Sequence, residues 1–208
     1  VSTQRIFEPM TQLRSSVFID QLQPQTHALL STQLRGHLPS QRMALQLLDI
    51  TPSTDVELLT SQLVKSEDVQ PGLSAVEATF GFMEFHSHNP ESVKSAAQAA
   101  LARANLTDAE IPASSVVASH IIDRLEPSHA LNINKVANGS PVLANQALYI
   151  LQTSPATVAL LAANEAEKSA HIQIVSLTFT GPRGRLYISG SATQVRAAAQ
   201  AAEAVLGR

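Results

Sequence analysis

Internal repetition constrains this chain more than any other sequence feature. At a separation of about 103 residues the sequence matches itself in one unbroken order over nearly a whole half-chain. The paired positions are Ile19 and Ile122, Asp20 and Asp123, Leu22 and Leu125, Pro24 and Pro127, Gly36 and Gly139, Pro52 and Pro155, Lys65 and Lys168, and Gly81 and Gly184. The chain therefore contains two copies of one unit, each of about 100 residues, a common domain size. We assign the domains to residues 1–109 and 110–208, with 1–13 as an N-terminal tail that has no counterpart in the repeat.

Each copy predicts the same order of elements: strands, a helix, a hairpin and a second helix. The predicted strands are 17–19, 44–50, 116–117 and 147–151, the hairpins lie within 74–86 and 172–188, and the last helices are 91–104 and 192–206. Pro52 and Pro155, with neighbouring hydroxyls, predict capped starts for the helices between strand and hairpin. The fold class is α/β (α+β), with two small, mainly antiparallel sheets flanked by helices.

Composition argues against several classes of function. The 14 Lys and Arg residues against 17 Asp and Glu give a formal charge of −3, without the basic surface that nucleic acid or an anionic membrane requires. Charged residues make up only 15% of the chain and hydrophobic residues 44%, so a buried assembly interface is expected. The absence of cysteine removes disulfides, thiolate metal sites and cysteine nucleophiles.

Two stretches bear on location. The first eight residues have neither the basic start nor the apolar run of a secretory signal, so we expect a cytoplasmic protein. The stretch 136–164 carries no charge, but prolines, a glycine and asparagines interrupt it. Because those backbone and amide groups would lack partners in lipid, the stretch predicts a strand, turn and helix buried in protein rather than a membrane span.

Signals for catalysis or a metal are weak. His86 and His88 would share one face of a strand, a spacing that can begin a metal site, but no third ligand follows. The stretch 181–184 contains two glycines yet lacks the Gly-Lys-Ser/Thr ending of a phosphate loop, and it is typical of a hairpin turn. No Gly-x-Ser-x-Gly elbow occurs. We predict no catalytic residue, no metal and no cofactor.

A longer motif points to a family. The stretch 159–170 reads Ala-Leu-Leu-Ala-Ala-Asn164-Glu165-Ala-Glu167-Lys168-Ser-Ala, and supporting stretches are 22–25, 70–72, 76–77, 80–86, 147–151 and 184–186. In these segments the chain resembles the tandem-domain, circularly permuted shell proteins of bacterial microcompartments (BMC-T), most closely the permuted shell trimers of carboxysomes. The resemblance extends from about residue 14 to residue 206.

The resemblance implies a structural shell protein rather than an enzyme. Three chains would close a trimeric pseudohexamer with a central pore for small metabolites, and two trimers could stack face to face. Such tiles pack edge to edge with one another and with other shell hexamers and pentamers, in a shell within the bacterial cytoplasm that encloses a carboxysome or a metabolosome. Closed rings with contacts between unlike surfaces are a common route to assemblies of this kind.

Two lysines occupy the position of the family's edge lysine. Lys65 and Lys168 are related by the repeat, and each is predicted to lie near the end of the helix that follows the proline. An apolar stem that lies along an interface, with an ammonium that reaches carbonyl groups opposite, suits contacts between neighbouring hexagons. The alternative is an ordinary solvated lysine at a helix end, where it favours the helix dipole.

The predicted pore turn departs from the family. Relatives carry a Glu-Arg pair before an aromatic residue and a glycine, whereas this chain reads Glu77-Ala78-Thr79-Phe80-Gly81. Because a methyl group cannot swing into a pore, we expect one that is permanently wide or gated by backbone motion, with an acidic rim of three copies of Glu77. In the second copy the candidates are Thr180, Gly181, Pro182 and Arg183.

Two alternatives stay open at this stage. Glu77 could instead turn aside to pair with a cation, which Arg183 or Arg185 could supply. A discrete trimeric ligand-binding or signalling protein of similar α/β fold is the second, because one architecture hosts many functions. Assembly distinguishes this second alternative from a shell protein, since a shell protein forms sheets or shells and a signalling trimer stays discrete.

Overall fold

The computed structural model describes residues 11–106 and 111–206. The strands are β1 (Gln12–Ile19), β2 (Ala44–Thr51), β3 (Gln70–Glu77), β4 (Phe80–Ser87), β5 (Ser115–Ile122), β6 (Ala147–Ser154), β7 (Gln173–Thr178) and β8 (Gly184–Gly190). The helices are α1 (Pro24–Gln33), α2 (Asp55–Ser66), α3 (Pro90–Arg103), α4 (Pro127–Asn134), α5 (Val158–Ser169) and α6 (Ala192–Ala204). The domain boundary predicted between residues 109 and 110 lies outside the described residues, as do residues 1–10 of the predicted N-terminal tail.

The two sheets have the same topology, as the repeat predicts. The first has the strand order β1-β2-β4-β3 and the second β5-β6-β8-β7, and every pairing is antiparallel. Equivalent residues keep equivalent pairings: Asp49 lies opposite Phe82 in the first sheet, and Gln152 lies opposite Arg185 in the second. The predicted α+β class, with two antiparallel sheets flanked by helices, is confirmed.

Helices α1 and α4 are missing from the order predicted from sequence. Pro24 and Pro127 each occupy the first turn of a helix, where the fixed φ of proline and its missing N–H are tolerated. The sequence analysis predicts strands at 17–19 and 116–117 ahead of these prolines and no helix directly after them. Both helices are short, and α1 buries only Thr26, Leu29 and Leu30, so neither gives a long apolar stripe.

The starts of α2 and α5 also differ from the prediction. Pro52 and Pro155 precede the helices, which begin at Asp55 and Val158. Neither N-cap residue, Thr54 or Thr157, accepts a side-chain cap hydrogen bond. Both helices start in a tight approach to the sheet, where a Cβ on Gly81 or on Gly184 would collide with the carbonyl oxygen of Ser53 or of Ala156. This close approach accounts for the repeated glycine.

One hydrophobic core runs through both domains. It joins Val17, Ile19, Leu22 and Leu30 of the first domain to residues of α5 and α6 in the second. A separate core fills the space between the first sheet, α2 and α3. A smaller one lies under α4 and includes Leu125, Ala130 and Ile133. Among the described residues, no helix is long and apolar enough to cross a bilayer.

Candidate assembly joint and pore turns

The segment 159–170, most of which forms α5, contacts the first domain at the N-terminus of α1. The carboxylate of Glu167 accepts hydrogen bonds from the backbone N–H groups of Gln25 (2.8 Å) and Thr26 (2.9 Å), and from the Thr26 hydroxyl (3.0 Å). These N–H groups have no acceptor inside α1, and the positive end of the helix dipole favours a carboxylate there. Glu167 therefore caps a helix of the other domain.

Asn164 acts beside Glu167 on the same face of α5. Its side-chain oxygen accepts from the backbone N–H of Gln23 at 2.9 Å, and its amide nitrogen donates to the carbonyl of Gln21 at 3.2 Å. Asn164 is fully buried, so both halves of its amide need partners and find them in the first domain. The residues that carried the family resemblance thus hold the two domains together.

Lys168 completes this contact with charge. Its ammonium lies 2.8 Å from Glu165 on its own helix and 3.0 Å from Asp20 at the end of β1. The Lys168 hydrogen bond holds the pKa of Asp20 below its usual range. Burial alone would lower the pKa of Lys168, but the bonds to Glu165 and Asp20 outweigh it and raise the pKa. We call this contact the inner joint: Asn164, Glu165, Glu167 and Lys168 on α5, with Asp20, Gln23, Gln25 and Thr26 of the first domain.

Lys65, the repeat counterpart of Lys168, has a different setting. It lies in the last turn of α2, is exposed, and forms no ion pair with another described residue. The counterparts of Glu165 and Glu167 are Gln62 and Val64, and Val64 is 44% exposed. The face of α2 that corresponds to the motif face of α5 is therefore not covered by another described element.

The two predicted pore turns lie next to each other. Glu77 is exposed at the end of β3, and a Cβ placed on Gly181 would lie 3.5 Å from its Oε1. Thr79, Pro182 and Arg183 are exposed, while Thr180 is partly buried. No ion pair joins Glu77 to Arg183 or Arg185 in the described part of the chain.

Both turns use a left-handed residue at the same repeat position. Ala78 has φ of +52° and Gly181 has φ of +86°. Glycine adopts this conformation without steric cost, whereas alanine is strained by about 1–2 kcal/mol. Ala78, the residue that departs from the family motif, thus occupies a position with left-handed backbone conformation.

Phe80, the aromatic residue of the first turn, is held by a neighbouring cation. The guanidinium of Arg14 lies 4.0 Å from its ring centre, and the ring stacks on Phe82 at 6.2 Å. Arg14 Nε also approaches the buried carboxylate of Asp49 at 3.9 Å. Burial raises the pKa of Asp49 to about 7, against the opposing charge of Arg14.

The sequence does not predict a chain of hydrogen bonds that links the loop after α1 to strand β4. His37 Nδ1 lies 2.9 Å from His86 Nε2, and His86 Nδ1 lies 2.9 Å from Glu84 Oε1. Glu84 and His86 are fully buried, and burial raises the pKa of Glu84 against the opposing bond from His86. His88, paired with His86 in the sequence analysis, is exposed beyond the end of β4. Within the described ranges, no three His, Cys, Asp or Glu side chains are grouped as metal ligands.

Comparison with known proteins identifies the domains. Residues 13–110 match the CsoS1D N-terminal domain family, and residues 147–208 match the BMC domain family. The carboxysome shell protein CcmP of Synechococcus elongatus is 34% identical over 195 residues, covering 94% of this chain and 92% of that protein. The carboxysome shell protein CsoS1D of Hydrogenovibrio crunogenus is 32% identical over 200 residues, covering 96% and 98%.

Solved structures agree with the sequence relatives. The fused permuted hexameric shell protein MSM0275 from the RMM microcompartment has a TM-score of 0.90 and 40% identity, covering 94% of this chain and 96% of that one. The double ringed trimeric shell protein MSM0271 from the same microcompartment has a TM-score of 0.88 and 30% identity, with the same coverage. The chain therefore belongs to the permuted tandem BMC-domain proteins and is a structural protein of a bacterial microcompartment shell, inside the bacterial cytoplasm.

Proposed function

We propose that three copies of this chain close a pseudohexameric shell tile with a central pore. The observation that carries the proposal is the inner joint, in which one domain of the repeat binds the next through unlike surfaces. A contact between unlike surfaces that repeats by rotation closes a ring, and three chains supply six domains. The tile is a structural element through which metabolites diffuse, and it is not an enzyme.

The adjacent turns at Glu77 and Gly181 support a pore at the ring centre. Glu77 and Arg183 are both exposed there, so a trimer would present three carboxylates and three guanidinium groups around the opening. Small metabolites would cross this rim. Because Ala78 cannot reach across the opening, any closure depends on backbone motion or on the Arg183 side chains.

The outer edges would meet neighbouring tiles, other shell hexamers and pentamers. Lys65 and Lys168 are the proposed edge residues for this tiling. Lys168 has two carboxylate partners within the chain and its side chain is 29% exposed, so part of it still faces outward. Stacking of two trimers is a further assembly that this tile could adopt.

Mass and imaging test the proposal together. Light scattering behind a sizing column should give about 67 kDa for a trimer of the 22.2 kDa chain, or twice that for a stacked pair. Electron microscopy should then show sheets or closed shells. A discrete trimer that never tiles, alone or with shell hexamers, would favour the alternative of a ligand-binding or signalling protein.

A further inference from the structure

The hydrogen-bond chain of the first domain brings two imidazole nitrogens together. Nδ1 of His37, in the loop after α1, lies 2.9 Å from Nε2 of His86 on β4, and the ring centres are 5.2 Å apart. His37 is exposed and His86 is fully buried, so solvent reaches this pair from one side. The two nitrogens therefore converge at a place that an ion from solution can reach.

The fold does not require these side chains, because the second domain makes the same backbone contact without them. In each domain, two consecutive N–H groups of the loop after the first helix donate to carbonyl groups near the start of β3 or β7, at 2.9 or 3.0 Å. The donor and acceptor pairs are Gly36 with Gly72, His37 with Pro71, Gly139 with Val175, and Ser140 with Ile174. The carboxylate and the imidazoles occur only in the first domain, since the counterparts of His37, Glu84 and His86 are Ser140, Tyr187 and Ser189. The three side chains are therefore an addition to a contact that forms without them.

Glu84 fixes the direction in which His86 presents its second nitrogen. Nδ1 of His86 donates to Oε1 of Glu84 at 2.9 Å, so Nε2 carries the lone pair and faces His37. Glu84 and His86 are both fully buried on β4, where packing holds the ring in place. A histidine that binds a metal usually donates its other ring N–H to a carboxylate in this way, which sets its tautomer and its orientation.

The surroundings of Glu84 supply little positive charge. The residues paired with it on the neighbouring strands are Leu47 of β2 and Leu73 of β3. Burial raises the pKa of Glu84, and the charge that opposes this rise is that of His86. Buried charges in proteins are paired with an opposite charge or lie at a metal. A positive ion on Nε2 of His86 would therefore compensate the carboxylate of Glu84.

We propose that His37 and His86 bind one divalent transition-metal ion, with Zn²⁺ as the occupant and Glu84 as the residue that orients His86. Imidazole nitrogen suits Zn²⁺ and Cu²⁺, whereas Mg²⁺ and Ca²⁺ take oxygen ligands. Two nitrogens on one tetrahedral zinc ion lie about 3.3 Å apart, so the exposed side chain of His37 needs to move only slightly. In the described part of the chain no group of three ligands occurs, so water completes the coordination. The site is formed by a single chain and goes beyond the proposed function.

Isothermal titration calorimetry with ZnCl₂ tests the site on the full chain without a histidine tag, after EDTA has removed bound metal. The wild-type chain should bind one Zn²⁺, and His37→Ala should abolish this binding, because it removes one of the two ligands from an exposed position. Glu84→Gln should weaken binding by about 10–100-fold, the usual effect of losing such a supporting carboxylate. The matched control is His88→Ala, which removes an exposed histidine beyond the end of β4 and should leave binding unchanged. Circular dichroism reports whether each variant folds.

Electron paramagnetic resonance of the Cu²⁺-loaded chain gives a second readout, because it counts the bound nitrogens. Two imidazole nitrogens are expected in the wild-type chain and fewer in His37→Ala. The inference is overturned if the wild-type chain binds no Zn²⁺, if His37→Ala binds it as well as the wild type, or if His88→Ala abolishes binding, since the ion would then lie on surface histidines. A chain that binds Zn²⁺ through His37 but stays at 22.2 kDa would overturn the proposed function alone.

Discussion

The two domains share one fold but differ in what covers the same corner. In the first domain, the end of β1 and the start of α1 are covered by α5, and Val17 and Thr26 are buried. In the second, β5 and α4 are covered by no described element at that place, and the counterparts of these two residues, His120 and His129, are exposed. The difference shows that one chain supplies a complete contact and an incomplete one.

The largest expected difference in the free energy of unfolding is between alanine substitutions of Phe82 and of its counterpart Arg185. Phe82→Ala should lower the free energy of unfolding by about 3–5 kcal/mol, because the ring is fully buried and its loss leaves a cavity. Arg185→Ala should change it by less than about 0.5 kcal/mol, because this side chain is exposed. Urea denaturation monitored by circular dichroism measures both values. Equal effects would contradict the difference in packing.

The inner joint should matter more to the stability of a chain than the exposed face of α2 that carries Val64 and Lys65. Glu167→Ala should cost about 1–3 kcal/mol, since it leaves the N–H groups of Gln25 and Thr26 without their acceptor. Val64→Ala should be nearly neutral in the unassembled chain, because this side chain is 44% exposed. Thermal unfolding of both variants at low protein concentration makes the comparison, and a neutral Glu167→Ala would remove the capping role.

Asp49 and its counterpart Gln152 sharpen the comparison through pH. Burial raises the folded pKa of Asp49 to about 7, well above the ordinary value of an aspartate, so folding is favoured by its protonated form. Its stabilising effect is fully present below the unfolded pKa and is lost as the pH rises from about 4 to 7. Asp49→Asn should therefore stabilise the chain by about 1–3 kcal/mol at pH 8 and have little effect at pH 4.

The control for this pH effect is Asp68→Asn, which removes an exposed carboxylate on the same domain. Its effect on the unfolding midpoint should be small and nearly independent of pH. If Asp49→Asn showed the same flat profile, the carboxylate would not be destabilised by burial, and the neighbouring Arg14 would neutralise it fully.

The smallest expected effect concerns the two pore turns. Ala78→Gly should stabilise the chain by up to about 1 kcal/mol, because glycine relieves the strain of the left-handed φ while adding freedom to the unfolded chain. Gly181→Ala should destabilise it by a similar amount. Differential scanning calorimetry of the pair tests whether the two turns have the same backbone requirement.

Much of the fold follows from the sequence because it depends on local patterns and on the repeat. The spacing of apolar residues within short segments predicts the strands, both hairpins and helices α2, α3, α5 and α6. It does not predict helices α1 and α4, because both are short and bury few residues, and α1 is also stabilised at its N-terminus by Glu167 of the other domain. A contact between residues more than 100 positions apart leaves no periodic signal.

The candidate site could be predicted only in part, because its contacts also join residues that are distant in the sequence. The sequence marks the segment with Asn164 and Glu167 through its resemblance to a family, but it does not show which backbone groups these residues bind. The bonds that link His37, His86 and Glu84 also join residues that are distant in the sequence. The pore roles of Glu77, Ala78 and Arg183 and the tiling roles of Lys65 and Lys168 stay predictions.

The most direct test of the account is the structure of assembled sheets by electron crystallography. The account predicts a threefold axis surrounded by the turns at Glu77 and Gly181. A map with these turns at the outer rim of the ring would contradict it.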